Sequence, residues 1–180
     1  MQPIAEAVTD AQGDLALKLP RFFRGMIYFP RGPAMFSTMV PTLFAVYPPP
    51  ENDLLVGPMV TLVSVDELNA LLAQGKSAGD PSLGHVFGVA MDCANALASG
   101  VAVACLNPSA KTLPFYLRED GLSVATGETD VSGRWGFFNV PPGQIGLEGK
   151  PTRLGGTVSS RYTTLVRAGM VTFVPMVPTP

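Results

Sequence analysis

The chain has 180 residues, of which 47% are hydrophobic and only 14% are charged, and its formal net charge is −2. The length suits one large domain or two small ones, and the apolar content excludes a disordered chain. The near-neutral charge gives no overall field that would attract nucleic acid. The 19 glycines and 18 prolines favour many short strands joined by turns.

The share of charged residues is well below the roughly 25% that is typical of soluble domains. One explanation is a β surface rich in threonine, serine, glycine and proline. The other is a subunit whose surface is covered in a larger assembly. The sequence alone leaves both explanations open.

The first element in chain order is a tight turn followed by alternating leucines. Asp10 and Gly13 hold the positions that aspartate and glycine favour in a turn, because an aspartate side chain caps nearby amides and glycine suits the last position. The leucines are Leu15, Leu17 and Leu19. Their spacing of two residues predicts a strand that ends at Pro20.

The strands predicted next lie at residues 23–29 and 40–47, and residues 54–63 form another apolar stretch. A helix follows, since Ser64 and Glu67 have the spacing of a capping box. An apolar stripe continues the helix, and Gly75 is typical of a helix end. Residues 76–83 contain serine, glycine and proline and are predicted to be a linker.

The second half of the chain has strand signals at short intervals. Apolar residues alternate from His85 to Met91 and again from Val101 to Cys105. Further strands are predicted at residues 112–118 and 122–126, around Trp135, around Ile145, and at residues 161–167 and 170–177. Ala168 and Gly169 are predicted to form a hairpin turn between the last two strands. About seven strands in roughly 95 residues is the spacing of a β-sandwich.

The strongest local signal runs from Thr129 to Gly143. Asp130 and Gly133 have the positions of a tight turn, and Trp135 and Phe137 then alternate with other residues as in a strand. The sequence Val-Pro-Pro-Gly stops that strand and turns the chain at Gly143. The segment therefore predicts a turn, a strand and a second turn.

The N-terminal turn repeats this pattern. Aligning Asp10 with Asp130 places Gly13 on Gly133 and Leu15 on Trp135. We therefore predict a partial second copy near residues 8–29. Its opening strands are missing, so either the chain is a piece of a longer protein or another source of strands completes that sheet.

From Gly84 to Pro178 the sequence resembles the carboxypeptidase regulatory-like domains, which belong with the transthyretin-like, prealbumin-type sandwiches. The resemblance is carried by the strand, loop and strand of His85–Leu106, by the motif of Thr129–Gly143, and by a closing pair of strands with Val-Thr near the end. It implies an antiparallel Greek-key β-sandwich that serves as an accessory module of secreted, periplasmic or cell-surface proteins. The fold hosts several functions, so the implied role is an analogy.

The expected architecture is mainly β. We expect a β-rich unit with one short helix (about 64–75) over residues 1–75, possibly an incomplete related sandwich. A linker at 76–83 would join it to the sandwich of residues 84–180.

The residues that could carry chemistry are few. His85 is the single histidine, and a general base would need an orienting acid and a nucleophile that no neighbouring residue supplies. The dioxygenases and hydrolases of the resembled superfamily need more histidines, and its metallocarboxypeptidases need His-x-x-Glu, whereas Val-Phe-Gly follows His85. Asp10 and Asp130 each bring one carboxylate, far from the six to eight oxygens that calcium takes. We predict a non-enzymatic protein without metal or cofactor, and we expect no small-molecule ligand.

Cysteines and aromatic residues complete the candidates. Cys93 and Cys105 either form a disulfide, which requires that they face one another, or are two buried free thiols.

Trp135 and Phe137 share one face of a strand, which predicts that they are core residues. Phe138 faces the other way. Together with Tyr116 and Tyr162 it is a candidate for an exposed or interface aromatic.

The prediction for function follows from these points. No apolar run reaches the roughly 18–20 residues of a membrane span, and residues 1–20 lack the features of a signal peptide. We predict a non-catalytic structural or interaction subunit of an exported (periplasmic, cell-surface or extracellular) assembly, with a protein partner or a second copy bound by strand pairing. The alternative is a glycan- or peptide-binding accessory module of a larger secreted enzyme. An enzyme of unfamiliar type is a third, less favoured reading.

Overall fold

A computed structural model describes residues 3–12, 14–31, 38–46, 62–121 and 123–178. These residues form ten strands and one α-helix. The strands are β1 (Met26–Phe29), β2 (Thr42–Ala45), β3 (Gly84–Ala90), β4 (Val101–Cys105), β5 (Leu113–Leu117), β6 (Val124–Ala125), β7 (Arg134–Val140), β8 (Gly143–Pro151), β9 (Ser160–Val166) and β10 (Val171–Met176), and the helix is α1 (Val65–Gln74). The mainly β fold with one short helix is confirmed. No helix of the described residues is long and apolar enough to span a membrane.

The strands form two sheets. One has seven strands in the order β1-β2-β10-β3-β7-β5-β6, and the other has three in the order β4-β8-β9. All pairings are antiparallel except those of β10, which runs parallel to both β2 and β3. The predicted hairpin at Ala168 and Gly169 is therefore wrong. That turn carries the chain from β9 in one sheet to β10 in the other, and a local turn signal does not distinguish the two cases.

The space between the two sheets holds the larger apolar core. Trp135 and Phe137 of β7 lie there with Leu147 of β8 and Val166 of β9. Trp135 packs closely because β3 has a glycine opposite it. A Cβ on Gly88 would lie 2.4 Å from the indole ring, so only glycine leaves room for the tryptophan.

The second core lies on the outer face of the seven-stranded sheet, where α1 covers it. Leu68, Leu71 and Leu72 of the helix pack with Phe115 and Phe138 of the sheet. The helix begins as the sequence predicts. Its capping box is complete, because the Ser64 hydroxyl accepts from the Glu67 amide and the Glu67 carboxylate accepts from the Ser64 amide. These bonds lower the pKa of Glu67.

The N-terminal region departs from the sequence prediction. The leucines after the first turn belong to no strand, although their burial alternates as in one. The predicted strand at 23–29 is shortened to β1, and the one at 40–47 to β2. Gly13 and most of the apolar stretch at 54–63 lie outside the described residues.

Strands β1 and β2 extend the same sheet as the C-terminal strands. Helix α1 shares a core with residues of the C-terminal strands β3, β5, β7 and β10. The division into two units, residues 1–75 and 84–180 with a linker at 76–83, stays a prediction.

Candidate interaction site

The turn at Asp130 is held by its carboxylate. The Ser132 amide and hydroxyl donate to one oxygen at 2.9 and 2.7 Å, and the Glu119 amide donates to the other at 2.9 Å. Gly133 closes the turn with a left-handed φ of 63°, and its backbone N–H donates a hydrogen bond to the Asp130 carbonyl. Burial raises the pKa of Asp130, but these hydrogen bonds outweigh it, so the pKa is lowered. The carboxylate is occupied as a cap.

The turn at Asp10 has a similar cap. The amides of Gln12 and Asp14 both donate to one Asp10 carboxylate oxygen at 2.9 Å. Both turns thus use an aspartate as a cap for backbone amides. On the other side of the motif, Gly143 begins β8 with a φ of 127°.

Sequence reasoning missed Asn139, which ties the connector at 76–83 to the sheet. Asn139 lies at a bulge in β7 and has a left-handed φ of 54°. The side-chain nitrogen of Asn139, Nδ2, donates to the Ser77 hydroxyl and to the Ala78 carbonyl, both at 2.9 Å. Its amide oxygen accepts from the Asp80 amide at 3.2 Å. Asparagine just before Val-Pro-Pro-Gly is a usable signal, because asparagine tolerates this backbone conformation.

His85 lies beside this bulge, in β3, and is 5% exposed. The backbone N–H of Asn139 donates to Nδ1 of His85 at 3.4 Å, and the His85 ring packs edge-on against Phe138. Burial lowers the pKa of His85 to about 4, so the ring is neutral at pH 7. Its role is to fill the core and to accept one hydrogen bond.

The aromatic residues expected at the surface are buried, so that prediction is wrong. Tyr116 and Tyr162 are 4% and 8% exposed. Each hydroxyl reaches across the core and accepts a hydrogen bond from a backbone amide. Tyr116 accepts from Val103 at 2.9 Å, and Tyr162 accepts from Val177 at 3.2 Å. A tyrosine can be buried when its hydroxyl finds such a partner. Burial raises the pKa of Tyr116, against the opposing effect of the Val103 amide.

Phe138 does face away from Trp135, as the alternation predicts, but α1 covers that face. It is fully buried and stacks on Phe115 with 4.1 Å between ring centroids. The strand pattern predicted the direction of the side chain. The helix that lies over it is remote in sequence, which is why the exposure was predicted wrongly.

Both cysteines are free thiols. Cys93 is exposed in the loop that enters β4 at Val101, and Cys105 is the last residue of that strand. Burial raises the pKa of the Cys105 thiol, whereas Cys93 is not buried.

A groove of about 370 Å³ lies between the connector and the loop before β5. Asp80 and Lys111 form an ion pair of 2.7 Å at its rim, which lowers the pKa of Asp80. Asn139 lines the groove, but its side chain is occupied by the connector. In the described part of the chain, no group of three or more metal-ligating side chains is found.

A partner strand could also pair with a sheet edge. The two sheets have four edge strands among the described residues, and three of these edges are guarded. At β4 the Val101 amide donates to the Thr129 hydroxyl, and the Val103 amide donates to Tyr116. At β6, a strand of two residues, the Val124 amide donates to Gln74 of α1. These side chains occupy backbone groups that an added strand would need.

The edge strand β9 is guarded in a different way. The Thr172 hydroxyl donates to its Leu165 carbonyl at 2.9 Å. Arg161 gives the strand a charged side chain, which pairs with Glu148 of β8 at 3.1 Å. Charged edge residues disfavour unwanted strand addition.

The outer edge of β1 has none of these devices in the described residues. Its sequence Met-Ile-Tyr-Phe has no charge and no proline. The hydrogen bond from the Val46 amide to the Gly25 carbonyl shows which residues of this segment direct their backbone groups towards β2. Because alternate residues point the same way, Met26 and Tyr28 direct their amides and carbonyls outward. The Tyr28 side chain is also 47% exposed.

Comparison with known proteins gives no identity. No family profile matches the sequence, and no curated protein matches it. Solved structures of the shaft pilin SpaA from Lactobacillus rhamnosus GG were found at 13% identity and a TM-score of 0.33. The alignment covers 99% of this chain and 70% of that one, and for a mutant of the pilin 100% and 76%. A TM-score this low carries no argument about this chain.

Proposed function

We propose that the chain is a non-catalytic structural subunit that works by binding further copies of itself in an exported or cell-surface assembly. The observation that supports this most is that, within the described residues, nothing guards the outer edge of β1, whereas the other three sheet edges are blocked. An exposed apolar edge is a template for pairing with another chain. The exported setting rests on the resemblance to carboxypeptidase regulatory-like domains.

The alternative of a glycan-binding module loses its main support. A stacking platform needs aromatic rings at the surface, whereas the candidates Tyr116, Phe138 and Tyr162 are in the core. An extended peptide could still bind at β1, but that is the same strand pairing with a different partner.

The test is the solution mass, measured by light scattering on a sizing column across a range of concentrations. The proposal predicts species heavier than the 18.9 kDa chain, with a mass that rises with concentration. The measurement is repeated with reductant, because the exposed Cys93 could cross-link copies by itself. A mass that stays at 18.9 kDa throughout would overturn the proposal.

A further inference from the structure

The sequence contains a segment that matches the open edge of β1. Residues 14–20, called the arm from here on, read Asp-Leu-Ala-Leu-Lys-Leu-Pro. Leu15, Leu17 and Leu19 are half-buried and the residues between them are exposed, which is the alternation of a strand with one apolar face. Residues 15–19 make no backbone hydrogen bond to any other part of the chain that the structure describes.

The connection between the arm and β1 keeps the arm from pairing with its own strand. The Phe23 amide turns back to the Pro20 carbonyl, as in a β-turn. Two residues later, the Gly25 carbonyl accepts a hydrogen bond from the amide of Val46, the residue after β2. Since alternate strand residues point the same way, a hairpin continued from this turn would need the side of β1 that β2 already occupies.

We propose that the arm of one copy adds as an extra strand to the outer edge of β1 in a second copy. This inference rests on the proposed function and specifies its contact. An antiparallel register that sets Leu17 opposite Tyr28 also sets Leu19 opposite Met26. The leucines then cover the exposed Tyr28 ring, and the outward amides and carbonyls of β1 gain partners.

Charge complementarity supports the same pairing. Residues 3–14 carry three acids and no base, whereas residues 15–31 carry four bases and no acid. All seven side chains are exposed. They are Glu6, Asp10 and Asp14, and Lys18, Arg21, Arg24 and Arg31. In the register above, Asp14 of one copy lies opposite Arg31 of the next, so the acidic stretch approaches the basic residues that flank β1 in the sequence.

The pairing joins two different surfaces, the arm and the edge. Two copies joined in this way still have one unused arm and one unused edge, so such a contact extends head to tail unless its rotation closes a ring. Pairing of two β1 edges with each other would instead stop at a dimer and would not need the arm.

The experiment mixes two variants of the full chain. The arm variant carries Leu17→Ser and Leu19→Ser. The edge variant carries Tyr28→Pro, which removes an outward amide that β2 does not use, and proline is tolerated at such edge positions. Tyr28→Thr, which keeps the amide, is the matched control. The fluorescence of Trp135 and the circular dichroism of each variant check that it is folded.

Each variant alone is expected to have the 18.9 kDa mass of one chain. Their equimolar mixture is expected to form a dimer and nothing larger, because only the arm of one and the edge of the other are intact. Tyr28→Thr keeps the outward amide but loses the ring that the leucines cover, so it should associate more weakly than the wild type and more strongly than Tyr28→Pro. A peptide of residues 10–20 should lower the mass of the wild type, and the same peptide with Leu17 and Leu19 changed to serine should not.

Other results overturn the inference. If the arm variant still associates, or if the mixture stays monomeric, the contact is not arm to edge, while an associating wild type keeps the proposed function. If the peptide leaves the wild-type mass unchanged, the inference fails even where a variant does not fold. A monomeric wild type overturns the inference and the proposed function together.

Discussion

At the scale of single residues, His85 shows how burial makes one side chain sensitive to pH. Its ring is enclosed by the core and accepts from the Asn139 amide, so a proton on Nδ1 would replace an acceptor with a second donor. The folded pKa of about 4 lies below the ordinary histidine value of 6.5. The unfolded chain therefore binds this proton more readily than the folded chain.

We expect His85 to stabilise the fold above pH 6.5 and to lose that contribution as the pH falls towards 4. The lowered folded pKa means that the unfolded state takes up more protons in this window, so stability decreases there. The loss is about 3 kcal/mol when complete. Urea unfolding at pH 7 and pH 4.5 measures it.

Carboxylates also titrate near pH 4.5, so the comparison uses His85→Asn, whose side-chain oxygen offers an acceptor without a titratable group. The wild type should lose more stability than the variant between the two pH values. Equal losses would mean that His85 does not titrate as its burial implies.

Residue patterns predicted some of this core and not the rest. The alternation around Trp135 placed Trp135 and Phe137 in the core, because strand geometry is local. The burial of Phe138 depends on α1, which sequence separates from β7 by some sixty residues. Asn139 was missed because its function depends on a connector that only the fold brings near.

At the scale of elements, β4 shows how a sheet edge can be closed without a further strand. Tyr116 reaches from the seven-stranded sheet to the backbone of β4 in the other sheet. One hydroxyl thus joins the two layers and occupies a donor at an edge. The sequence could not reveal this, because a tyrosine in an alternating strand looks the same whether its hydroxyl meets water or a backbone amide.

Tyr116→Phe should destabilise the fold by about 1–3 kcal/mol, because the Val103 amide loses its acceptor in a buried place. Thermal or urea unfolding measures the change. Tyr28→Phe removes a hydroxyl from a half-exposed ring and serves as the control, with a change within about 0.5 kcal/mol. A Tyr116→Phe variant as stable as the control would show that water replaces the hydroxyl.

The helix illustrates the opposite case, in which sequence was sufficient. The capping box of Ser64 and Glu67 and the leucine stripe are both local, and α1 begins where they predict. The pairing of β10 was not predictable in this way. Its neighbours β2 and β3 are chosen by the whole sheet, while the turn before it resembles that of a hairpin.

At the scale of the whole molecule, the two cores share one sheet, so we expect them to unfold together. Leu71→Ala leaves a cavity under α1 and should cost about 2–5 kcal/mol. Trp135, the only tryptophan, lies in the other core and reports the unfolding by its fluorescence. The control is Asn69→Ala on the exposed side of the same helix.

A single transition seen equally by fluorescence and by circular dichroism, shifted by Leu71→Ala, would indicate one cooperative unit. If the variant loses helix at a denaturant concentration that leaves the Trp135 signal unchanged, the predicted division of the chain into two units is supported instead.

The position of β10 has a consequence for how the protein is made. Among the strands that the structure describes, β1 and β2 join the rest of the sheet through β10 alone. During synthesis on the ribosome, strands β3 to β9 are all made after β2 (Thr42–Ala45) and before β10 (Val171–Met176). Contacts this distant in sequence form slowly. The apolar hairpin of β1 and β2 must therefore wait without its docking strand, and a cell that produces this protein rapidly has reason to shield that hairpin with a chaperone.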